Sequence, residues 1–274
     1  MSAPASDPGY TPVLAEVTCQ RRFPTLRAVS ALILREMATT YGRSPIGYLW
    51  AVLQPAISIF VITFVFTLIM RTPPLGTNFV IFYASGFVPY TMYRTINTNL
   101  SASIQFSKSL LSYPSVTFVD ALLGRFVLGF LTQLLVAYVL FSGITLIYDT
   151  RTIVDLPAIA LSFFMCGVLA FGIGTMNCFL IGVFPAWQRI WSIANRPMVI
   201  ISGVIFLYDT MPQPYRDWLW WNPLVHIIGQ MRKGFYPYYD APYVSPLYPL
   251  LLGLVLTVMG LMFLRRYALF ILND

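Results

Sequence analysis

The sequence predicts an all-α integral membrane protein with six transmembrane helices. Hydrophobic residues make up 58% of the 274 residues and charged residues only 10%, which is less than half of the roughly 25% found in soluble domains. Residues 44–70 include no charged side chain, and about 20 apolar residues are enough to cross a bilayer core of about 30 Å. The chain is therefore expected to enter a membrane here, after an N-terminal arm that lacks a signal-peptide pattern.

Long apolar stretches, separated by prolines, glycines and charged residues, predict the positions of the six helices. We place the spans at residues 46–70, 79–96, 121–148, 158–183, 190–208 and 247–264. The chain thus divides into an N-terminal part, residues 1–40, and a transmembrane domain, residues 41–274.

Two other segments predict short helices outside these spans. Within residues 10–40, Leu26, Val29 and Ile33 lie at helical spacing among arginines. This pattern predicts an amphipathic interface helix on the inner membrane surface, with a plain linker as the alternative. Residues 209–246 are crowded with Trp, Tyr and Pro, and they predict one or two gate helices that re-enter the outer leaflet before the last span.

The distribution of basic residues predicts the orientation of the chain. With the N-terminus inside, twelve of the 17 Lys and Arg residues fall in cytoplasmic segments and five fall outside. Lys and Arg favour the cytoplasmic side of a membrane protein, and the inverted topology would reverse the bias. Both termini are therefore predicted to be cytoplasmic. Basic flanks also explain the net charge of +7, so nucleic-acid binding is not predicted.

The chain lacks the residue patterns of an enzyme or an ion-coupled transporter. Its three cysteines and single histidine form no cluster with metal-ligand spacing, so neither a metal nor a cofactor is expected on this chain. It has no Walker A sequence and no catalytic triad or paired carboxylates in a plausible frame. No acidic residue lies inside a predicted span, which argues against an ion relay. Any uphill transport must then be driven by another polypeptide.

Aromatic and amide side chains are the candidates for lining a transport path. Trp50, Gln54, Val61 and Phe64 share one stripe of the first span. Because sugars stack their CH faces on aromatic rings, such a stripe suits a glycan channel; helix packing with an interfacial Trp belt is the alternative. The aromatic residues before the last span invite the same two interpretations. The candidate channel residues are Trp50, Gln54, Phe60, Phe64, Trp218, Trp221 and Tyr236.

Small residues recur at every fourth position along the fourth span. In a bilayer such a ridge lets a neighbouring helix approach closely, so helix packing is the predicted role. The ridge consists of Cys166, Ala170, Gly174, Cys178 and Gly182.

Two isolated polar residues are expected to be structural. Arg125, near the inner end of the third span, either pairs with Asp120 or snorkels to the membrane surface. His226 stands alone, which favours a hydrogen-bonded structural role over a catalytic one.

Two sequence segments resemble a known family. Arg35-Glu36, followed by YGRSPIGYLWAVLQP at residues 41–55, is similar to the membrane-entry motif of ABC-2 type permeases that export polysaccharides. WNPLVH at residues 221–226 and RKGFY at residues 232–236 are similar to the segment before the last span in that family. The likeness covers nearly the whole chain and is strongest to the capsular polysaccharide export subunit of Gram-negative bacteria. Ser44-Pro45 departs from the more basic or polar run of the relatives.

The resemblance implies the membrane-spanning permease of an exporter that moves lipid-linked capsular polysaccharide across the inner membrane. It implies a homodimeric pore between the first and fifth spans, with two copies of a separate ABC ATPase that binds ATP and Mg²⁺. It also implies periplasmic, co-polymerase-like proteins and outer-membrane export proteins as partners. O-antigen and teichoic-acid exporters share the architecture and are the nearest alternatives. A membrane-embedded transferase is a further alternative, but it requires an acid/base cluster that the sequence lacks.

By the same resemblance, residues 10–35 correspond to the interface helix and residues 212–239 to the periplasmic gate helices. Residues 97–113 correspond to the coupling helix that docks in a groove of the ATPase. The candidate coupling residues are Arg94, Asn99, Gln105, Lys108 and Tyr113.

Overall fold

The computed structural model describes residues 24–40, 46–69, 72–106, 117–148 and 153–273. Regular structure in these ranges is helical throughout, which confirms the all-α prediction. The helices are α1 (Pro24–Thr40), α2 (Ile46–Ile69), α3 (Phe79–Ser101), α4 (Phe118–Ile147), α5 (Leu156–Val183), α6 (Trp187–Ala194), α7 (Met198–Ile201), α8 (Tyr215–Trp220), α9 (Pro223–Phe235) and α10 (Leu247–Asn273).

Four of these helices are long and apolar enough to cross a membrane. They are α2, α4, α5 and α10, and they correspond to the first, third, fourth and last predicted spans. Helix α3 forms where the second span is predicted, but it continues past residue 96 to Ser101 and carries Arg94 together with several polar residues. The described part of the chain therefore supports a membrane protein with four candidate spans.

Side-chain caps mark where helices begin. At the start of α4, the Thr117 N–H donates to the Asp120 carboxylate at 2.9 Å, and the Asp120 N–H donates to the Thr117 hydroxyl at 3.3 Å. At the start of α3, the Asn78 side chain accepts from the Val80 N–H at 2.8 Å. These caps satisfy N–H groups that have no partner within the helix.

Helix α4 runs between the two ends of the bundle. Its beginning packs on α1, where Arg125 pairs with Glu36 at 3.1 Å. Its last part packs on α9, where the Phe141 and Phe235 ring centroids lie 4.6 Å apart. We call these the α1 end and the α9 end. The contacts between helices show that α3, α5 and α10 run from the α9 end to the α1 end, while α2 and α4 run the opposite way.

Helix α3 lies at the centre of the bundle and packs on the small-residue ridge of α5. The Cys166 thiol donates to the Pro89 carbonyl O at 3.3 Å. A Cβ added to Gly174 would lie 2.7 Å from the Cβ of Leu100. Close approach of α3 therefore depends on the small side chains of α5. Of the other ridge residues, Ala170 and Cys178 are buried and Gly182 is half-buried.

A second close helix crossing joins α5 to α10 through glycines. A Cβ added to Gly172 would lie 2.1 Å from the carbonyl O of Gly253. A Cβ on Gly253 would lie 2.8 Å from the Val168 carbonyl O, and one on Gly260 would lie 3.0 Å from the Met176 backbone N. All three contacts are with backbone atoms, which cannot rotate away as a flexible side chain can. The crossing therefore leaves no room for a Cβ at Gly172 or Gly253 and little room at Gly260.

The prediction of one continuous fifth helix over residues 190–208 is not confirmed. Helix α6 ends before Pro197, α7 is only four residues long, and Gly203 follows with φ +76°. Proline disfavours the helical conformation of the preceding residue, and a positive φ is a glycine conformation that does not continue a helix. Residues 190–208, which we call the broken segment, still reach the α9 end, where a Cβ on Gly86 would lie 3.0 Å from the Val204 backbone.

Of the two roles predicted for Arg125, the pairing with Asp120 is wrong. Asp120 is engaged in the cap of α4, whereas Arg125 pairs with Glu36 of α1. The partner lies 89 positions away in sequence, so local spacing could not reveal it.

Two short helices, α8 and α9, form in the segment where gate helices are predicted. Helix α9 is largely buried and packs against α3 and α5. Within it, a His226 Nε2 contact to the Trp220 carbonyl O measures 2.8 Å, and the Ser245 N–H donates to His226 Nδ1 at 3.1 Å. These contacts confirm that His226 is a hydrogen-bonded structural residue.

Candidate functional site

A groove lies between α2 and α3 on one side and the broken segment on the other. Its volume is about 410 Å³, within the range of about 300–1,000 Å³ typical of small-ligand sites. The lining residues are Ser58 and Ile62 of α2, Tyr83, Phe87, Tyr90 and Arg94 of α3, and Ser192, Asn195, Arg196 and Val199 of the broken segment.

Helix α3 supplies an aromatic wall that ends in an arginine. Tyr83, Phe87, Tyr90 and Arg94 follow one another at steps of four, three and four, which places them on one face of the helix. The Tyr83 and Phe87 rings are stacked with centroids 5.2 Å apart. The opposite face of α3 is buried against α5, so this wall is backed by a packed helix.

The facing wall is polar and positively charged. It carries Ser58 from α2 and, from the broken segment, Asn195 and Arg196. Among the described residues, no carboxylate lies within ion-pair distance of Arg94 or Arg196. Arginine binds carboxylate and phosphate groups through paired hydrogen bonds, and Phe87, which is half-buried, offers part of an apolar ring face. The groove is therefore suited to a ligand with apolar ring faces and negatively charged substituents.

The structure places the channel candidates of α2 outside this groove. Trp50 and Phe64 are each 56% exposed, and Phe60 and Gln54 are exposed as well. They lie on the outer surface of a helix that contacts the rest of the bundle mainly through α3. The groove-lining residues of α2 are instead Ser58 and Ile62.

The three channel candidates near the α9 end have different environments. Trp218 and Trp221 are exposed. Tyr236 is fully buried, and its ring lies 2.5 Å from where a Cβ on Gly76 would be, so it packs under the connection between α2 and α3. The structure does not bring these three side chains to the groove.

The sequence does carry a signal for the groove, in the aromatic spacing that ends at Arg94. That signal is ambiguous on its own, because aromatic residues three or four apart are also common in helix cores. Tyr83 and Tyr90 are in fact almost fully buried. Only the break between α6 and α7 opens space beside them.

Two of the described coupling candidates, Asn99 and Gln105, lie near a junction of α1, α3 and α4, whereas Arg94 lines the groove. Arg125 Nη1 donates to the Asn99 carbonyl O at 3.0 Å, and its guanidinium lies 4.2 Å from the Phe106 ring centroid. Since Arg125 also pairs with Glu36, one side chain joins all three helices. Asn99 and Gln105 are exposed beside it. Lys108 and Tyr113 lie outside the described residues.

Comparison with known proteins extends these observations. Over 237 residues the chain is 28% identical to the polysialic acid transport protein KpsM of Escherichia coli, covering 86% of this chain and 92% of KpsM. It is 26% identical over 242 residues to the capsule polysaccharide export inner-membrane protein CtrC of Neisseria meningitidis, covering 88% and 91%. A third relative, the O-antigen export system permease protein RfbA of Klebsiella pneumoniae, is 26% identical over 234 residues, covering 83% and 86%.

A family model for the ABC-2 type transporter matches residues 27–236, from within α1 to just past α9. The matched region contains the groove, the small-residue ridge and the junction at Arg125. The chain belongs to the ABC-2 type transporter family.

Proposed function

We propose that this chain is the permease subunit of an ATP-driven exporter that moves lipid-linked capsular polysaccharide across the bacterial inner membrane. The groove is the observation that carries the proposal, since the half-buried ring of Phe87 and the two exposed arginines, Arg94 and Arg196, suit sugar rings with acidic groups. The names of the relatives KpsM and CtrC describe polysialic acid transport and capsule polysaccharide export. The O-antigen permease RfbA favours lipid-linked O-antigen as the second candidate substrate.

In this proposal the chain crosses the membrane six times, with α3 as the second crossing and the broken segment as the fifth. The α1 end faces the cytoplasm and the α9 end faces the periplasm, so both termini are cytoplasmic. The basic residues support this orientation through their cytoplasmic excess. Helices α8 and α9 then act as periplasmic gate helices, and the groove between α2 and α6 lies along the glycan path.

Two copies of the chain would form the pore. Helix α2 supports this proposal because its outer surface, with Trp50, Phe60 and Phe64, is exposed in the single chain. In a homodimer this surface becomes available to line the path between subunits. Periplasmic, co-polymerase-like proteins and outer-membrane export proteins would continue that path to the cell surface.

Energy would come from two copies of an ABC ATPase subunit that bind ATP and Mg²⁺ at the cytoplasmic side. The permease itself is proposed to be no enzyme and to bind no cofactor. Glycan export by the isolated permease, with no ATPase present, would contradict this proposal. Export that requires a co-purifying ATPase would support it.

Replacing Phe87 by alanine is expected to lower surface polysaccharide about tenfold. The substitution removes the half-buried ring at the middle of the aromatic wall, and a ring contact is worth about 0.5–1.5 kcal/mol beyond its buried area. Surface capsular polysaccharide should be measured in cells whose only permease is the variant, together with its membrane abundance.

Tyr138→Ala is the matched control for Phe87→Ala, because Tyr138 is an exposed aromatic residue of α4 outside the groove. It should leave export unchanged. Normal export by Phe87→Ala at normal abundance would remove the groove from the glycan path.

Replacing Gln105 by tryptophan is expected to reduce ATPase recovery at least fivefold when the permease is affinity-purified. Gln105 is exposed beside the Arg125 junction, so a bulky side chain there should obstruct a docked subunit without disturbing the helix bundle. Gln213→Trp, at an exposed glutamine of the α9 end, is the control. Equal ATPase recovery from both variants would place the docking surface elsewhere.

A further inference from the structure

Helix α6 forms part of the groove wall yet has no buried residue. Its two tryptophans, Trp187 and Trp191, are half-buried and its other residues are exposed, so its few polar contacts with other helices help to fix its position. In the described part of the chain, two hydrogen bonds connect α6 and its C-cap residue, Asn195, to α5 and α3. Trp187 Nε1 donates to Asn177 Oδ1 at 2.9 Å, and the Tyr90 hydroxyl donates to the Asn195 carbonyl O at 3.4 Å.

The Trp187 bond continues into a buried chain of amide groups. Asn177 Nδ2 donates to Asn97 Oδ1 at 3.1 Å, and Asn97 Nδ2 donates to the Tyr93 hydroxyl at 3.5 Å. Asn97 and Asn177 are each 2% exposed. A buried amide that loses its partner is costly, so both side chains are held in one orientation. The chain of hydrogen bonds runs from α3 through α5 to α6.

Both attachments of α6 lead back to α3. Tyr90 binds the C-cap of α6 directly, and Asn97 reaches its first residue through Asn177. Helix α3 also carries the opposite wall of the groove and leads into the Arg125 junction through Asn99. A movement of α3 at its α1 end would therefore be transmitted to α6 through these hydrogen bonds.

We propose that Asn97, Asn177 and Trp187 form a latch that positions α6 as a wall of the glycan groove and lets α3 control the groove's width. This inference rests on the proposed function of the groove. The three side chains are positioning residues, because none of them lines the groove. Breaking the bond between Trp187 and Asn177 frees the first turn of α6, while the bond from Tyr90 still holds its C-terminal end.

Trp187→Phe tests the latch with a small change, because it keeps an aromatic ring and removes the Nε1–H donor. The complex of permease and ATPase should be purified with spin labels at the exposed positions Val61 of α2 and Ile193 of α6. We expect the distribution of label-to-label distances to broaden or shift. We also expect exported capsular polysaccharide per ATP hydrolysed to fall about fivefold, as for the loss of one hydrogen bond.

Trp191→Phe is the matched control, since Trp191 belongs to the same helix and stacks on Trp187 at 6.2 Å. It should leave both measurements unchanged. Wild-type distances and wild-type export in Trp187→Phe would overturn the latch, and so would equal effects of the two substitutions. If the wild-type complex exports no polysaccharide, the proposed function fails, while the distance measurement still tests the latch by itself.

Discussion

Replacing Gly172 by alanine is expected to destabilise the helix bundle more than adding a methyl group at any other glycine whose surroundings the structure describes. The new Cβ would lie 2.1 Å from the Gly253 carbonyl O, so α5 and α10 would have to separate along their crossing. Overpacking of a close-packed interior costs about 1–3 kcal/mol and occasionally more, and contact with a backbone atom belongs at the upper end. The measurements are thermal unfolding of the purified chain in detergent and its abundance in membranes.

The other glycines give this prediction an internal scale. Gly253→Ala and Gly260→Ala should be milder, because their new Cβ atoms would lie 2.8 Å and 3.0 Å from the nearest backbone atoms. Gly143→Ala of α4 is the control, since no atom lies within 4 Å of its added Cβ. It should be neutral or stabilising by up to about 1 kcal/mol, the difference in helix propensity. Equal stability of Gly172→Ala and Gly143→Ala would rule out the glycine crossing.

Replacing Arg125 by methionine is expected to detach α1 from the bundle. The Arg125 side chain is 8% exposed and pairs with Glu36 at 3.1 Å. Removing one partner of a buried ion pair costs about 3–5 kcal/mol, because the other charge loses its compensation. The substitution also frees the Asn99 carbonyl O and the face of the Phe106 ring. Amide hydrogen exchange across α1 should become faster, and the unfolding temperature should fall.

Companion substitutions separate the ion pair from the loss of side-chain volume. Glu36→Gln keeps an oxygen acceptor for Arg125, so its effect should be smaller. Combining Glu36→Leu with Arg125→Met removes both charges and should recover part of the stability. Arg265→Met, at an exposed arginine of α10, should have no effect. Unchanged exchange of α1 in Arg125→Met would show that the pair does not hold α1.

Helix positions were largely predictable because hydropathy is a local property. The candidate spans in α2, α4, α5 and α10 begin and end within a few residues of the predicted spans, since each apolar run is long enough to form a helix by itself. The break in the fifth predicted span was not predictable, because apolar composition does not reveal that Pro197 and Gly203 interrupt the helix. Its side chains are apolar enough for a span, while its backbone is irregular.

The groove could not be predicted from the sequence. The prediction that Trp50 and Phe64 line a glycan path stays a prediction; the structure shows that they lie on the outer surface of α2, whereas Phe87 lines the groove. Lipid and a packed helix are equally apolar neighbours, so hydrophobicity does not show which face of a helix contacts lipid and which face contacts another helix. The hydrogen bond between Trp187 and Asn177 could not be predicted either, because it depends on how α6 packs against α5.

The sequence by itself determined that this protein is helical and membrane-embedded, where most of its long helices lie and which family it resembles. These conclusions rest on local composition and on short motifs, which do not depend on how the chain packs. Only the tertiary structure decided which helices touch. The pair of Arg125 with Glu36, the glycine contacts of α5 with α10 and the groove beside α3 each join residues far apart in the chain. Such contacts arise from packing, because each helix selects its neighbours by the shape and polarity of a whole face.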